Sequence, residues 1–208
     1  MAHTENPPFQ RGTTWNDGRT IDSSNLGGPQ LEGTEWEFED IDYSSVGAKA
    51  QRTNRKVRCR IVRNASGIAL LPKRVVRFKN TAGNDRVGQV DGYTTTTAAD
   101  FAGVVDEWLP SAGVPANDLF YIVIEGPTRT LTDIAGDADN VFSVGDVVVA
   151  LTAATSQATT AGRVGPQDLT GATALLANQV QNRIGTALSA KTTANTNADL
   201  LIDMFRRW

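Results

Sequence analysis

NRKVRCRIVRN, residues 54–64, decides how the rest of the chain is read. Val57, Cys59 and Ile61 alternate with Lys56, Arg58 and Arg60, the period of two that belongs to a strand with one apolar and one basic face. Cys59 falls on the apolar face and reads as a small buried hydrophobe, not a nucleophile. Asn64 to Gly67 supplies a turn. IALLPKRVVRFKN, residues 68–80, then gives a second strand, with Val76 and Phe78 opposite Arg77 and Lys79. The two basic strands are expected to form a hairpin or an adjacent pair.

The bases extend beyond this segment. Residues 49–86 hold twelve lysines and arginines against Asp85 alone, a net of +11, although the whole chain is at −3. Residues 1–48 carry two bases and nine acids, and residues 87–208 carry six and thirteen, so each flank is at −7. A nucleic-acid contact, a solvated face and an ion-paired face compete to explain the block. Only Phe78 lies within it to stack single-stranded bases, and the acidic remainder repels phosphate at long range. Arginine outnumbers lysine there by eight to four, and its planar fork pairs carboxylates bidentately. Ion pairing is therefore the expectation, and nucleic acid is disfavoured. Exposed pairs contribute only ~0–1 kcal/mol each, so the block matters chiefly where it is buried.

One possible acidic partner is LEGTEWEFEDID, residues 31–42. Glu35, Glu37 and Glu39 alternate with Trp36 and Phe38, which predicts a strand with an acidic face. Two such carboxylates could form a general acid–base pair, but a solvated or ion-paired face is the simpler reading. FAGVVDEWL (101–109), DLFYIVIEGP (118–127, closing on Gly126-Pro127), NVFSVGDVVVAL (140–151) and RIGTALSA (183–190) add short β-prone runs. Turn residues recur between them, the pattern of an all-β sandwich or barrel. GATALLANQVQNR (171–183) has helical propensity. The segment 199–208 is either a short helix, with Leu200, Leu201, Met204, Phe205 and Trp208 on one stripe, or a strand with Leu200, Ile202 and Met204 inward; the strand is preferred.

Residues 1–30 contain few apolar side chains and are interrupted by Pro7, Pro8, Pro29 and four glycines. They read as an extended arm ahead of a β-domain at 31–208. Phe9 and Trp15 are unusual in a free tail, because aromatic rings find surface to bury against; an arm that orders on a neighbouring subunit is the expectation. The N-terminus lacks the apolar core of a secretory signal, and no run approaches the roughly 20 apolar residues that cross a bilayer. A single cysteine leaves no intrachain disulfide, which fits synthesis in a reducing cytoplasm, where the Asn64-Ala65-Ser66 glycosylation pattern would be idle.

Composition also limits chemistry. His3 is the one histidine, so a Ser-His-Asp relay or a His/Cys zinc site has little to draw on. Neither G-x-x-x-x-G-K-[ST] nor G-x-G-x-x-G occurs. GDADN, residues 136–140, lacks the glycine and distant glutamate of a calcium loop and reads as a turn. The expectation is a protein that is not an enzyme and uses no cofactor.

RNASGIALLPKRVVRFK (63–79), FAGVVDEWLPSAGVPANDLFYIVIEGPTRTL (101–131), VFSVGDVVVA (141–150) and RIGTALSA (183–190), in this order, resemble the head-decoration or cement proteins of tailed bacteriophages. The likeness spans residues 55–190 and rests on short β motifs; the N-terminal arm and the Arg-rich block depart from it. It implies a non-enzymatic β-domain, made in the host cytoplasm, that binds the outside of a virion capsid, commonly as a homotrimer. The partners would be the major capsid protein and further copies of itself, with no membrane. On that expectation Phe9, Trp15, Trp36 and Phe38 are the apolar anchors, and Arg58, Arg60, Arg74 and Arg77 supply interface charge. A carbohydrate- or receptor-binding module of a phage tail or spike is the alternative.

Overall fold

The computed structural model describes residues 7–18, 31–42, 50–79, 88–94, 101–133, 141–151, 162–167, 180–193 and 198–205. Among them ten strands form: β1 (Glu35–Asp42), β2 (Ala50–Asn64), β3 (Val75–Phe78), β4 (Gln89–Tyr93), β5 (Phe101–Val105), β6 (Leu119–Leu131), β7 (Val147–Ala150), β8 (Val164–Pro166), β9 (Arg183–Ala187) and β10 (Asp199–Met204). They join in the order β1-β2-β4-β3-β5-β6-β10-β9-β7-β8, and β2 also pairs with β6. The chain is an all-β domain.

That last pairing closes a ring. β2 and β6 run antiparallel from Cys59 opposite Val123 to Arg63 opposite Leu119. β5, β3 and β4 complete the circuit, with β4 parallel to the end of β2. Val62, Val76, Phe78, Val90, Ala102, Phe120, Ile122 and Ile124 come from all five strands and cluster together, so they fill the inside of a small barrel. The opposite face of β2 and β6 carries Val57, Cys59, Ile61, Leu119, Tyr121 and Val123. These pack on Phe142, Val148, Ile184, Leu200 and Ile202 from the C-terminal wing of β10, β9, β7 and β8. LFYIVI is apolar without a break because both faces of β6 are buried. Each fully buried Ile or Phe contributes about 1.5–3 kcal/mol.

The expected strand at the C-terminus is present, with Leu200, Ile202 and Met204 buried along β10. Two sequence expectations are corrected. The basic strands β2 and β3 are not neighbours, because β4 lies between them. Asn64 explains the departure. Its buried amide donates to the carbonyls of Ile68, Val114 and Pro115 and its Oδ1 accepts from Ser66, so the chain leaves β2 toward Val114 instead of folding back. β6, in turn, does not close on Gly126-Pro127 but continues to Leu131. At Gly126, φ is +91° and an added Cβ would lie 2.3 Å from the Lys56 carbonyl oxygen. The strand bends there and exchanges β2 for β10 as its partner. The acid cluster at 136–140 and residues 171–179 of the helical expectation lie outside the described residues.

Gly126→Ala combines a left-handed φ with a backbone clash. It is expected to cost at least ~1–3 kcal/mol, read as a lower urea midpoint with an unchanged m-value.

Candidate functional site

β1 and β2 set three acids against three bases: Glu35 opposite Arg60, Glu37 opposite Arg58 and Glu39 opposite Lys56. Arg60 Nη2 donates to Glu35 Oε1 at 2.5 Å and Lys56 Nζ to Glu37 Oε1 at 2.6 Å. Arg58 lies 3.7 Å from Glu37 and 3.5 Å from Glu125 on β6. The Lys56 hydrogen bond holds the Glu37 carboxyl below its ordinary range and the Lys56 amine above its own. The acidic run at 31–42 is thus a partner of the basic block within one chain. Other bases of the block reach further: Arg55 to Asp203 and Lys73 to Asp199, both on β10, and Arg77 Nε to Asp91 at 2.8 Å. Arg74 is buried over the Tyr93 ring; desolvation, reinforced by neighbouring Arg163, lowers its pKa.

The second feature is a seat for residues 7–18, on the chain's own barrel. Trp15 pairs antiparallel with Leu119, its N–H donating to the Leu119 carbonyl at 2.9 Å and its carbonyl accepting at 2.8 Å. Arg11 Nη2 donates to Asp106 Oδ1 at 2.7 Å and the Gly12 N–H to Asp106 Oδ2 at 2.9 Å. Both side chains of that ion pair are fully buried. Gly12 fits because its φ is +78° and a Cβ would come within 3.0 Å of Trp108. The Tyr121 hydroxyl donates to the Phe9 carbonyl, and Asn16 Nδ2 to Asp118 Oδ1.

Three of the four expected anchors meet here. Phe9 stacks at 4.6 Å from Tyr121 and 6.1 Å from Trp15, and Phe38 meets Tyr121 edge-on at 5.2 Å. Trp36 packs beside the same core and its indole N–H donates to Thr34 Oγ1. Trp15 retains 38% of its surface. Arg63, only 2% exposed, donates to Asp17 at 2.7 Å and Glu32 at 2.6 Å, so one guanidinium holds both flanks of the 18–31 link.

Beside the seat, Arg52 bridges Asp40 at 2.7 Å and Glu107 at 2.8 Å. Glu107 also accepts from the Arg129 N–H and Asp40 from Thr53 Oγ1. Sequence reasoning did not find Arg11, Asp40, Asp106 or Glu107. The available signal was local: two acids directly after the wholly apolar FAGVV of β5, where a buried carboxylate needs a cation. Nothing local identifies Arg11, 95 residues away. Chemically, the arrangement neutralises acids instead of exposing them. Burial pushes the Cys59 thiol up to about 12, aided by Asp106 and Glu107 against the opposing pull of Arg11. No protein-family model and no curated protein matches the chain.

Arg11→Ala leaves Asp106 buried without its cation and is expected to cost about 3–5 kcal/mol, measured by chemical denaturation. Lys56→Ala on the exposed ladder should leave the midpoint essentially unchanged. Cys59 should resist a thiol reagent at mild alkaline pH until the protein unfolds. Because its folded pKa is raised, the contribution is complete below the unfolded value and falls as pH climbs through the window up to about 12.

Proposed function

We propose that the protein is a non-enzymatic structural protein of a phage virion. It binds the outer surface of an assembled capsid and stabilises it by bridging neighbouring subunits, as a homotrimer in the arrangement the resemblance implies. A ligand that binds only the assembled shell stabilises that shell by mass action.

The observation that supports this reading most directly is Trp15. Its backbone is fixed to Leu119 on both sides, yet more than a third of its surface faces solvent. A tryptophan held rigidly at low entropic cost is the residue type that dominates binding hot spots. Phe9 packs edge-on against it and in turn on Tyr121, while the paired charges around the barrel favour orientation and register over raw affinity. The basic block contributes to docking through its outer charges, with Arg77 and Arg58 keeping more exposed side chains than Arg60 and Arg74.

Trp15→Ala separates docking from folding better than removing the arm, which would also strip Asp106 of Arg11. The variant should stay folded and lose at least tenfold in affinity for intact heads, a loss of about 1.4 kcal/mol, in a co-sedimentation assay. Wild-type affinity in that variant would contradict the proposal.

A further inference from the structure

Segment 7–18 is built like a ligand. Its long-range contacts, from Phe9 to Asp17, are made to the barrel and to Arg63 on β2. Within itself it makes the Phe9–Trp15 edge contact and short turn bonds such as Thr13 to Gln10. The barrel side is equally defined. Asp106 reads an arginine followed by a glycine, Tyr121 reads the aromatic two residues earlier, and the Leu119 backbone takes up an extended residue at Trp15. The seat thus recognises aromatic-x-Arg-Gly followed by an extended residue, the pattern that Phe9 to Trp15 supplies. The fit is also incomplete, because the buried Arg11 guanidinium has Nε and Nη1 without hydrogen-bond partners. Orphaned buried donors cost binding energy, so the seat holds the arm less tightly than a fully satisfied one would.

We propose that this seat takes the arm of a second copy of the chain as well as its own, so that copies associate by exchanging residues 7–18. The second copy is the occupant the seat specifies, since its Phe9, Arg11 and Gly12 reproduce the contacts without a new surface. The same bonds form in either arrangement, and exchange of an identical element has a low thermodynamic cost. The 12 residues from 19 to 30 set an upper limit of about 40 Å on the reach of the arm. This inference does not rest on the capsid reading, because its test uses the purified chain alone.

Asn16 and Asp118 are in hydrogen-bond contact across the seat, and Cys59 is buried. Chains carrying Asn16→Cys and chains carrying Asp118→Cys are mixed, concentrated and oxidised. Exchange predicts a reducible heterodimer on a non-reducing gel that neither variant yields alone in comparable amount. The double variant N16C/D118C in one chain controls for geometry. If it closes its bridge while the mixture remains monomeric, arm exchange is overturned. Native mass spectrometry of heavy- and light-isotope full chains reads the same event without cysteines. Mixed oligomers in the wild type, dimers or trimers, that Arg11→Ala abolishes support exchange. Monomers alone, or mixed oligomers indifferent to Arg11→Ala, refute it.

Discussion

The antiparallel pairing of β2 with β6 is the constraint on which the rest of the molecule depends. It closes the five-strand ring, and it gives β6 and the second half of β2 two buried faces. One face fills the barrel around Val62, Phe120 and Ile122; the other, around Cys59, Ile61 and Tyr121, receives the C-terminal wing and the arm aromatics. A slip of either strand by one residue would move its side chains to the opposite face. Register is fixed by both cores at once.

The concentration of positive charge in β2 follows from its neighbours. β1 lies along its exposed edge with three glutamates in register, β6 contributes Glu125, and β10 presents Asp203. Farther along, where the strand is buried, the chain still needs cations for carboxylates drawn inside. Arg63 serves Asp17 and Glu32 there, while at the other end of β2 Arg52 serves the buried Asp40 and Glu107. Removing one partner of such a pair is costly, whereas an exposed pair adds little. The exposed ladder therefore adds little stability, and the buried pairs tie segments distant in sequence to the barrel.

Much of this was legible in the amino-acid order. Alternation around Val57, Cys59 and Ile61 gave the strand and the burial of the thiol, and the Glu35–Glu39 run gave both a strand and a candidate partner for the bases. The failures share a cause. Alternation describes one face at a time, so it could not show that Val62, on the basic side, faces a second core. Sequential adjacency suggested a β2–β3 hairpin, but β4 intervened because Asn64 spends its amide on carbonyls some 50 residues away. Gly126-Pro127 carried the composition of a strand end, whereas a glycine with positive φ served as a bend within one strand. The arm seat depended on Arg11 meeting Asp106, a long-range electrostatic match that no local pattern encodes.

Hydrogen exchange at individual amides tests most directly the claim that the β2–β6 pairing organises both cores. The amides of Cys59 to Arg63 and Leu119 to Val123 that bond across this pairing should exchange only through global unfolding, at the highest free energy in the molecule. Wing amides of β7 and β8 should open at lower cost. Central-pair amides that exchange by local opening, more readily than those of the wing, would contradict the account.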